Sequence, residues 1–138
     1  MIARAAASTG AFFDTNVLLH LLSADTAKAD RAEELLASGG TISVQVLNEL
    51  VTLARERLQM EWDAIGEVTA AVRSLCAVLP LTTEIHDRGL ELARSMGTSV
   101  SDSMIMAAAL ASGASLLYSE NLEHGRTIEG RVRIHNPF

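Results

Sequence analysis

The sequence predicts an α/β fold in which a central parallel sheet of four to five strands is covered by helices on both faces. Three observations predict it. Short apolar runs of strand length alternate with longer stretches whose apolar residues recur at helical spacing. The first three elements run strand, helices, strand, and a right-handed crossover of that kind makes the two strands parallel. A carboxylate, Asp14, closes the first apolar run Ala11-Phe12-Phe13, the position where ligands gather in an open parallel sheet.

With 138 residues, 49% hydrophobic and 20% charged, the chain reads as one domain spanning 1–138 that buries its core without disulfides or a structural metal. After Asp14, Thr15 and Asn16 turn the chain into a helix continuing from Val17 to Leu22. Ser23-Ala24-Asp25 breaks it, and Asp25 or Thr26 caps a second helix running to Ala37. Gly39-Gly40 ends that helix, and the β-branched Thr41-Ile42-Ser43 makes a second strand.

From Val44 to about Leu58, the residues Leu47, Leu50, Val51, Ala54 and Leu58 share one helical stripe. Glu49 sits at its border, beside Val46 and Leu53. The next helix runs from Glu61 to Ala77 with Ile65, Val68, Val72, Leu75 and Cys76 inward, and Trp62 reads as core or interface. Cys76 is the only cysteine, so no internal disulfide forms, and it reads as a small core residue. Val78-Leu79-Pro80-Leu81 is a third strand, with Pro80 marking a sheet edge or the strand's end.

Thr82 or Thr83 caps a helix in which Ile85, Gly89, Leu92 and Met96 recur at helical spacing, and Gly97 closes it; His86, near its start, reads as exposed. Ser99-Val100-Ser101-Asp102 has the Ser/Thr-x-x-Asp/Glu form of a helix start, ahead of the apolar run from Met104 to Leu110. Gly113 ends that helix, Ala114 to Tyr118 forms a fourth strand, and Ser119 to Gly125 leaves its carboxyl end. Val132-Arg133-Ile134 alternates as a fifth, peripheral strand.

No apolar run is long enough to span a bilayer, and Met1 to Gly10 lacks a sustained hydrophobic region of signal type. A cytoplasmic location is therefore expected, with no membrane partner. The formal net charge of −6 argues against broad affinity for polyanions, so a nucleic-acid role needs a local basic surface or a bound cation. Arg126, Arg131 and Arg133 cluster near the C-terminus and read either as a solvated edge or as a phosphate site.

This layout brings Asp14, Glu49, Asp102 and the stretch from Ser119 to Glu123 to one rim of the sheet. Taken singly, they also read as separate surface groups and caps, and Asp102 in a first helical turn is stabilising by about 0.3–1 kcal/mol with no further role. Taken together, they would repel and hold raised pKa values unless a cation lay among them. Oxygen ligands without a Cys or His cluster suit Mg²⁺ or Mn²⁺, and a metal so held can activate water and neutralise a phosphoryl oxygen.

The segments FFDTNVLL, ISVQVLNEL, SVSDSMIMAAAL and LLYSENLEHG, in that order and with a final VRIHNPF, resemble the PIN-domain family. Within it they are most similar to toxin ribonucleases of the VapC type. The resemblance implies an α/β/α sandwich and a Mg²⁺- or Mn²⁺-dependent endoribonuclease acting on RNA. It also implies a homodimer and inhibition by a small cognate antitoxin that occupies the site. Carried over by motif, Asp14, Glu49 and Asp102 correspond to the acidic metal cluster, with Asn16 and Ser119 as polar support.

One position departs from the family pattern of Ser/Thr, any residue, then Asp: this chain has Ser119-Glu120-Asn121. Asn121 offers a carbonyl oxygen to a metal but carries no charge and cannot act as a general base. Glu120 and Glu123 are the acids placed to compensate. The runner-up function is an RNA- or partner-binding PIN domain with weak or lost cleavage. Receiver or haloacid-dehalogenase-like phospho-acceptors are disfavoured, because no acid follows two residues after Asp14 and the only lysine, Lys28, lies on an early helix. With Trp62, Tyr118, Phe12, Phe13 and Phe138 as the only aromatics, recognition of RNA shape is favoured over a broad stacking groove.

Overall fold

The computed structural model describes residues 10–138; the stretch from Met1 to Thr9, where a secretion signal would stand, lies outside the described residues. Strand β1 (Ala11–Phe13) is wholly buried and leads into helix α1 (Thr15–Leu19), which continues as a 3₁₀ turn, His20–Leu22. Helix α2 (Thr26–Ala37) starts at Asp25, whose carboxylate accepts from the N–H groups of Ala27 and Lys28. Strand β2 (Gly40–Ser43) passes directly into α3 (Val44–Glu56), and α4 (Trp62–Leu75) into β3 (Cys76–Leu79). Thr82 caps α5 (Thr83–Met96) and Ser99 caps α6 (Val100–Ser112) through their hydroxyls; Gly97 and Gly113 close the two helices at positive φ. Three strands complete the chain: β4 (Leu116–Tyr118), β5 (Thr127–Ile128) and β6 (Val132–His135).

The strands form one sheet in the order β3-β2-β1-β4-β6-β5. All neighbours are parallel except β5 and β6. The expected parallel sheet of four to five strands is thus a five-stranded parallel sheet with an antiparallel two-residue edge. Thr127–Ile128 is too short to show a period, which is why the sequence did not signal it. β3 is the other edge, and Pro80 follows it where the ladder stops.

The core is built on β1 and α6. Every residue of α6 from Ser103 to Leu110 is buried, because the helix packs on the sheet on one side and is covered by α5 on the other. The close approach depends on Gly89, where a Cβ would lie 2.5 Å from the Met104 sulfur. Gly40 plays the same part between strands: a Cβ there would lie 2.5 Å from the Phe13 ring and 3.0 Å from the Ala11 carbonyl.

Three local expectations are corrected. Cys76 and Ala77 belong to β3 rather than to the preceding helix, although Cys76 is buried as expected and burial pushes its thiol up to about 12. Of the two readings of Trp62, the core one is excluded: it is 61% exposed, with the Arg55 guanidinium 4.9 Å from its ring centre. Leu58 lies beyond the end of α3 and is exposed, because the helix stops at Glu56 before the stripe can bury it.

Candidate active site

The sheet order reverses direction at β1, since β2 lies on one side of it and β4 on the other. A crevice opens at the carboxyl ends of strands on either side of such a switch point. Asp14 follows β1 there, and Ser119 follows β4. The two are joined side by side: the Asp14 N–H donates to the Tyr118 carbonyl at 3.0 Å, and the Ser119 hydroxyl donates to Asp14 Oδ2 at 2.8 Å.

Asp14 is 6% exposed and its carboxylate is held by donors on both oxygens. Oδ1 accepts from the Thr15 N–H at 2.7 Å, the helix-capping bond of α1, and Oδ2 accepts from the Asn16 amide at 3.2 Å as well as from Ser119. Burial pushes the Asp14 carboxyl above its ordinary range. The bonds from Ser119 and Thr15 pull it back without cancelling that effect, and the charges of Asp102 and Glu49 push it further up.

Glu49 reaches the same crevice from α3. Its Oε1 accepts from the Thr15 hydroxyl at 2.6 Å, and its Oε2 accepts from Gln45 and from the Ser101 hydroxyl, both at 3.1 Å. Asp102, half-buried in the first turn of α6, is placed there because its own N–H bonds the Ser99 capping hydroxyl at 3.1 Å. Asp14, Glu49, Asp102, Asn16, Glu120 and Asn121 all line one cavity of about 650 Å³. Among the described residues, none of the carboxylates of Asp14, Glu49 and Asp102 pairs with a Lys, Arg or His.

Ser119 lies behind this wall, fully buried, and its oxygen also accepts the N–H groups of Asn121 (3.2 Å) and Leu122 (3.1 Å). Asn16 ties the loop down from the other side, its carbonyl accepting the Glu120 N–H at 2.8 Å. Glu120 lines the cavity but is engaged elsewhere: His20 Nε2 lies 2.7 Å from one oxygen and Lys28 Nζ 3.2 Å from the other. The bond to His20, with Lys28 behind it, holds the Glu120 carboxyl below its usual range. Glu123 is exposed, lies 3.9 Å from Arg126 and is not part of the cavity wall.

Sequence reasoning missed the residues that hold Glu49. Gln45 stands four residues before it on α3, a spacing that brings side chains together, and Thr15 and Ser101 each adjoin a singled-out acid. His20 and Lys28 gave no signal, because they meet Glu120 across 100 and 92 residues of sequence.

Among the described residues, no three His, Cys, Asp or Glu side chains converge as a ready-made metal site. The donor set still fits a hard divalent cation: carboxylates and an amide carbonyl around one cavity, with the buried acid at its centre lacking any cationic partner.

A buried acid at the switch point of a parallel sheet, sharing one cavity with further acids, makes this a carboxylate-lined α/β site. Residues 11–128 match the PIN domain model, and the chain belongs to the PIN domain family. A toxin–antitoxin complex from Klebsiella pneumoniae has a similar structure, with a TM-score of 0.71 at 21% identity, covering 93% of this chain and 98% of that one. Mycobacterium tuberculosis VapC20, described as a toxin that cleaves the sarcin–ricin loop, aligns with a TM-score of 0.63 at 24% identity over 78% of this chain and 86% of that one. VapBC2 from Rickettsia felis, bound to promoter DNA, aligns with a TM-score of 0.59 at 20% identity over 91% of this chain and 97% of that one. At these identities the likeness is one of fold. Among curated proteins none matches the sequence.

Proposed function

We propose that this protein is a Mg²⁺- or Mn²⁺-dependent endoribonuclease, the toxin of a toxin–antitoxin pair, and that it works in the cytoplasm as a homodimer restrained by its antitoxin. The observation that carries the reading is Asp14: a buried carboxylate at the switch point, with no cation beside it and with Glu49 and Asp102 near enough to raise its pKa. Membership of the PIN family and the likeness to toxin–antitoxin complexes support it.

In this reading Asp14, Glu49 and Asp102 would hold the cation, with the Asn121 carbonyl available as a neutral donor. A divalent ion bound there would lower the pKa of water and offset charge on the phosphoryl oxygens. The chain's own part is orientation. Thr15, Asn16 and Ser119 fix the plane of the Asp14 carboxylate, while Thr15, Gln45 and Ser101 fix that of Glu49. The reaction these residues would support is phosphodiester hydrolysis, in which a water oxygen bonds to phosphorus as the bond from phosphorus to the sugar oxygen breaks and a proton from that water ends on the departing oxygen.

A second reading rests on Asn121, which lines the cavity without a charge: an RNA- or partner-binding PIN domain of weak turnover. One experiment separates the two. Purified protein is incubated with total cellular RNA and with a tRNA pool, in Mg²⁺, Mn²⁺ or EDTA, beside Asp14→Asn. Discrete products that require both metal and Asp14 are expected. RNA retention without products, in protein free of antitoxin, would favour the binding module.

A further inference from the structure

Beyond Glu49 the cavity wall continues along α3 through Leu53 to Arg57 and Leu58, and Arg57 is the only Lys or Arg among the lining residues. Other cations near by are committed: Lys28 to Glu120, Arg31 to Glu34, Arg126 to Glu123, and Arg55 to the Met60 carbonyl at 2.7 Å. Among the described residues the Arg57 guanidinium meets no carboxylate.

The backbone that presents Arg57 is fixed. Arg57 is the C-cap of α3, still in helical conformation, with its N–H on the Leu53 carbonyl at 2.9 Å. The following turn is stapled by the Met60 N–H to the Ala54 carbonyl at 3.1 Å and by Arg55, which bonds Met60 and lies over Trp62. Arg57 stands eight residues beyond Glu49 on one helix, so the two are separated by roughly 12 Å along its axis. A cation at that remove lies beyond the phosphate that the acids address.

We propose that Arg57 is a positioning residue of the nuclease: its guanidinium takes a phosphate flanking the scissile one, and the apolar wall of Leu53 and Leu58 lies beside the intervening nucleoside. The assignment rests on the ribonuclease reading above. It explains how an acidic site on an acidic chain registers a polyanion, with the bound cation at one end of the cavity and Arg57 at the other. Planar guanidinium donors suit a phosphate, and such a contact carries no base preference, so bulk RNA is a sufficient probe.

The test compares wild type, Arg57→Gln, Arg57→Lys and the control Arg73→Gln, an exposed arginine on α4 outside the cavity wall. Bulk tRNA and a single-stranded oligouridylate are titrated in Mg²⁺ over a range of salt, and cleavage of the tRNA is followed at limiting and saturating RNA. Arg57→Gln should weaken binding and raise apparent KM about tenfold, as for one lost charge-assisted contact, with the saturated rate unchanged. Its salt slope on the oligouridylate should be shallower by roughly 0.7, Arg57→Lys should recover most of both effects, and Arg73→Gln should match wild type. Wild-type affinity and slope in Arg57→Gln, while cleavage still requires Asp14, would overturn the role of Arg57 and leave the nuclease reading standing. A wild-type protein that neither binds nor cuts RNA would remove both.

Discussion

Ser119→Ala tests whether the site is held together as the geometry indicates. The hydroxyl is fully buried, donates to a buried carboxylate at 2.8 Å and accepts two backbone N–H groups of the next turn. Removing it deletes a hydrogen bond to a charged group, worth about 1.5–3 kcal/mol, and leaves the N–H of the buried Leu122 without its acceptor, a further cost of about 1–3 kcal/mol. The two losses share one atom and will not add fully, so the expected destabilisation at neutral pH is about 2–4 kcal/mol. Urea unfolding in EDTA should show the midpoint falling by about 1–2 M.

The pH dependence of that loss has a fixed sign. Asp14 has a raised carboxyl pKa, and removing the Ser119 bond raises it further. The difference between variant and wild type is therefore greatest where Asp14 is ionised, and it shrinks as pH falls through the folded-state pKa. A penalty below about 0.5 kcal/mol, or one that does not shrink as pH falls through the folded-state pKa of Asp14, would refute the claim that Ser119 supports an ionised Asp14.

Four other outcomes follow from the structure. In EDTA, the raised Asp14 pKa makes wild-type stability decline as pH rises from the ordinary carboxylate range through the folded-state value, and Asp14→Asn should flatten that slope in unfolding curves. Saturating Mg²⁺ or Mn²⁺ should raise the wild-type Tm, with about 2.7 kcal/mol gained at a hundredfold excess over Kd, and should leave the Tm of Asp14→Asn nearly unmoved. Gly40→Ala should cost about 1–3 kcal/mol in denaturant unfolding, because its Cβ meets the Phe13 ring and the Ala11 carbonyl. Asn121→Asp should raise metal-dependent cleavage of total RNA, since it adds a charged oxygen donor to the cavity wall; unchanged turnover would show that the neutral amide is no handicap.

What the sequence made legible was local. Asp14 could be read because one residue is both the end of an apolar strand and the cap of the next helix. The starts of α2, α5 and α6 could be read from Asp25, Thr82 and Ser99, whose side chains bond N–H groups two or three residues on. Asp102 was ambiguous for the same reason, since a first-turn acid looks alike whether it serves the helix or a ligand. In the structure Asp102 both stands in the first turn of α6 and lines the cavity that Asp14 and Glu49 line. Illegible features were those set by distant partners: the 34-residue link from Thr15 to Glu49, the hold of His20 and Lys28 on Glu120, and the exposure of Leu58 and Trp62 where α3 ends early. Glu120 and Glu123 could not be told apart by spacing, yet one lines the cavity and the other faces Arg126.

The balance of charge in the cavity sets an order of events. Four carboxylates line it, those of Asp14, Glu49, Asp102 and Glu120, against one arginine. Glu120 is ion-paired with Lys28 and bonded to His20, which leaves three acids and Arg57 in the cavity wall. The hydrogen bonds to Asp14 and Glu49 fix their planes but supply no positive charge, so an RNA phosphate brought among the three acids meets net repulsion. A divalent cation held at Asp14 would offset most of that charge at the place where burial has made it most costly. RNA affinity should therefore rise with cation occupancy. The Arg57 contact should persist in EDTA, because it draws on none of the acids, so residual RNA binding without metal should be the part that Arg57→Gln removes.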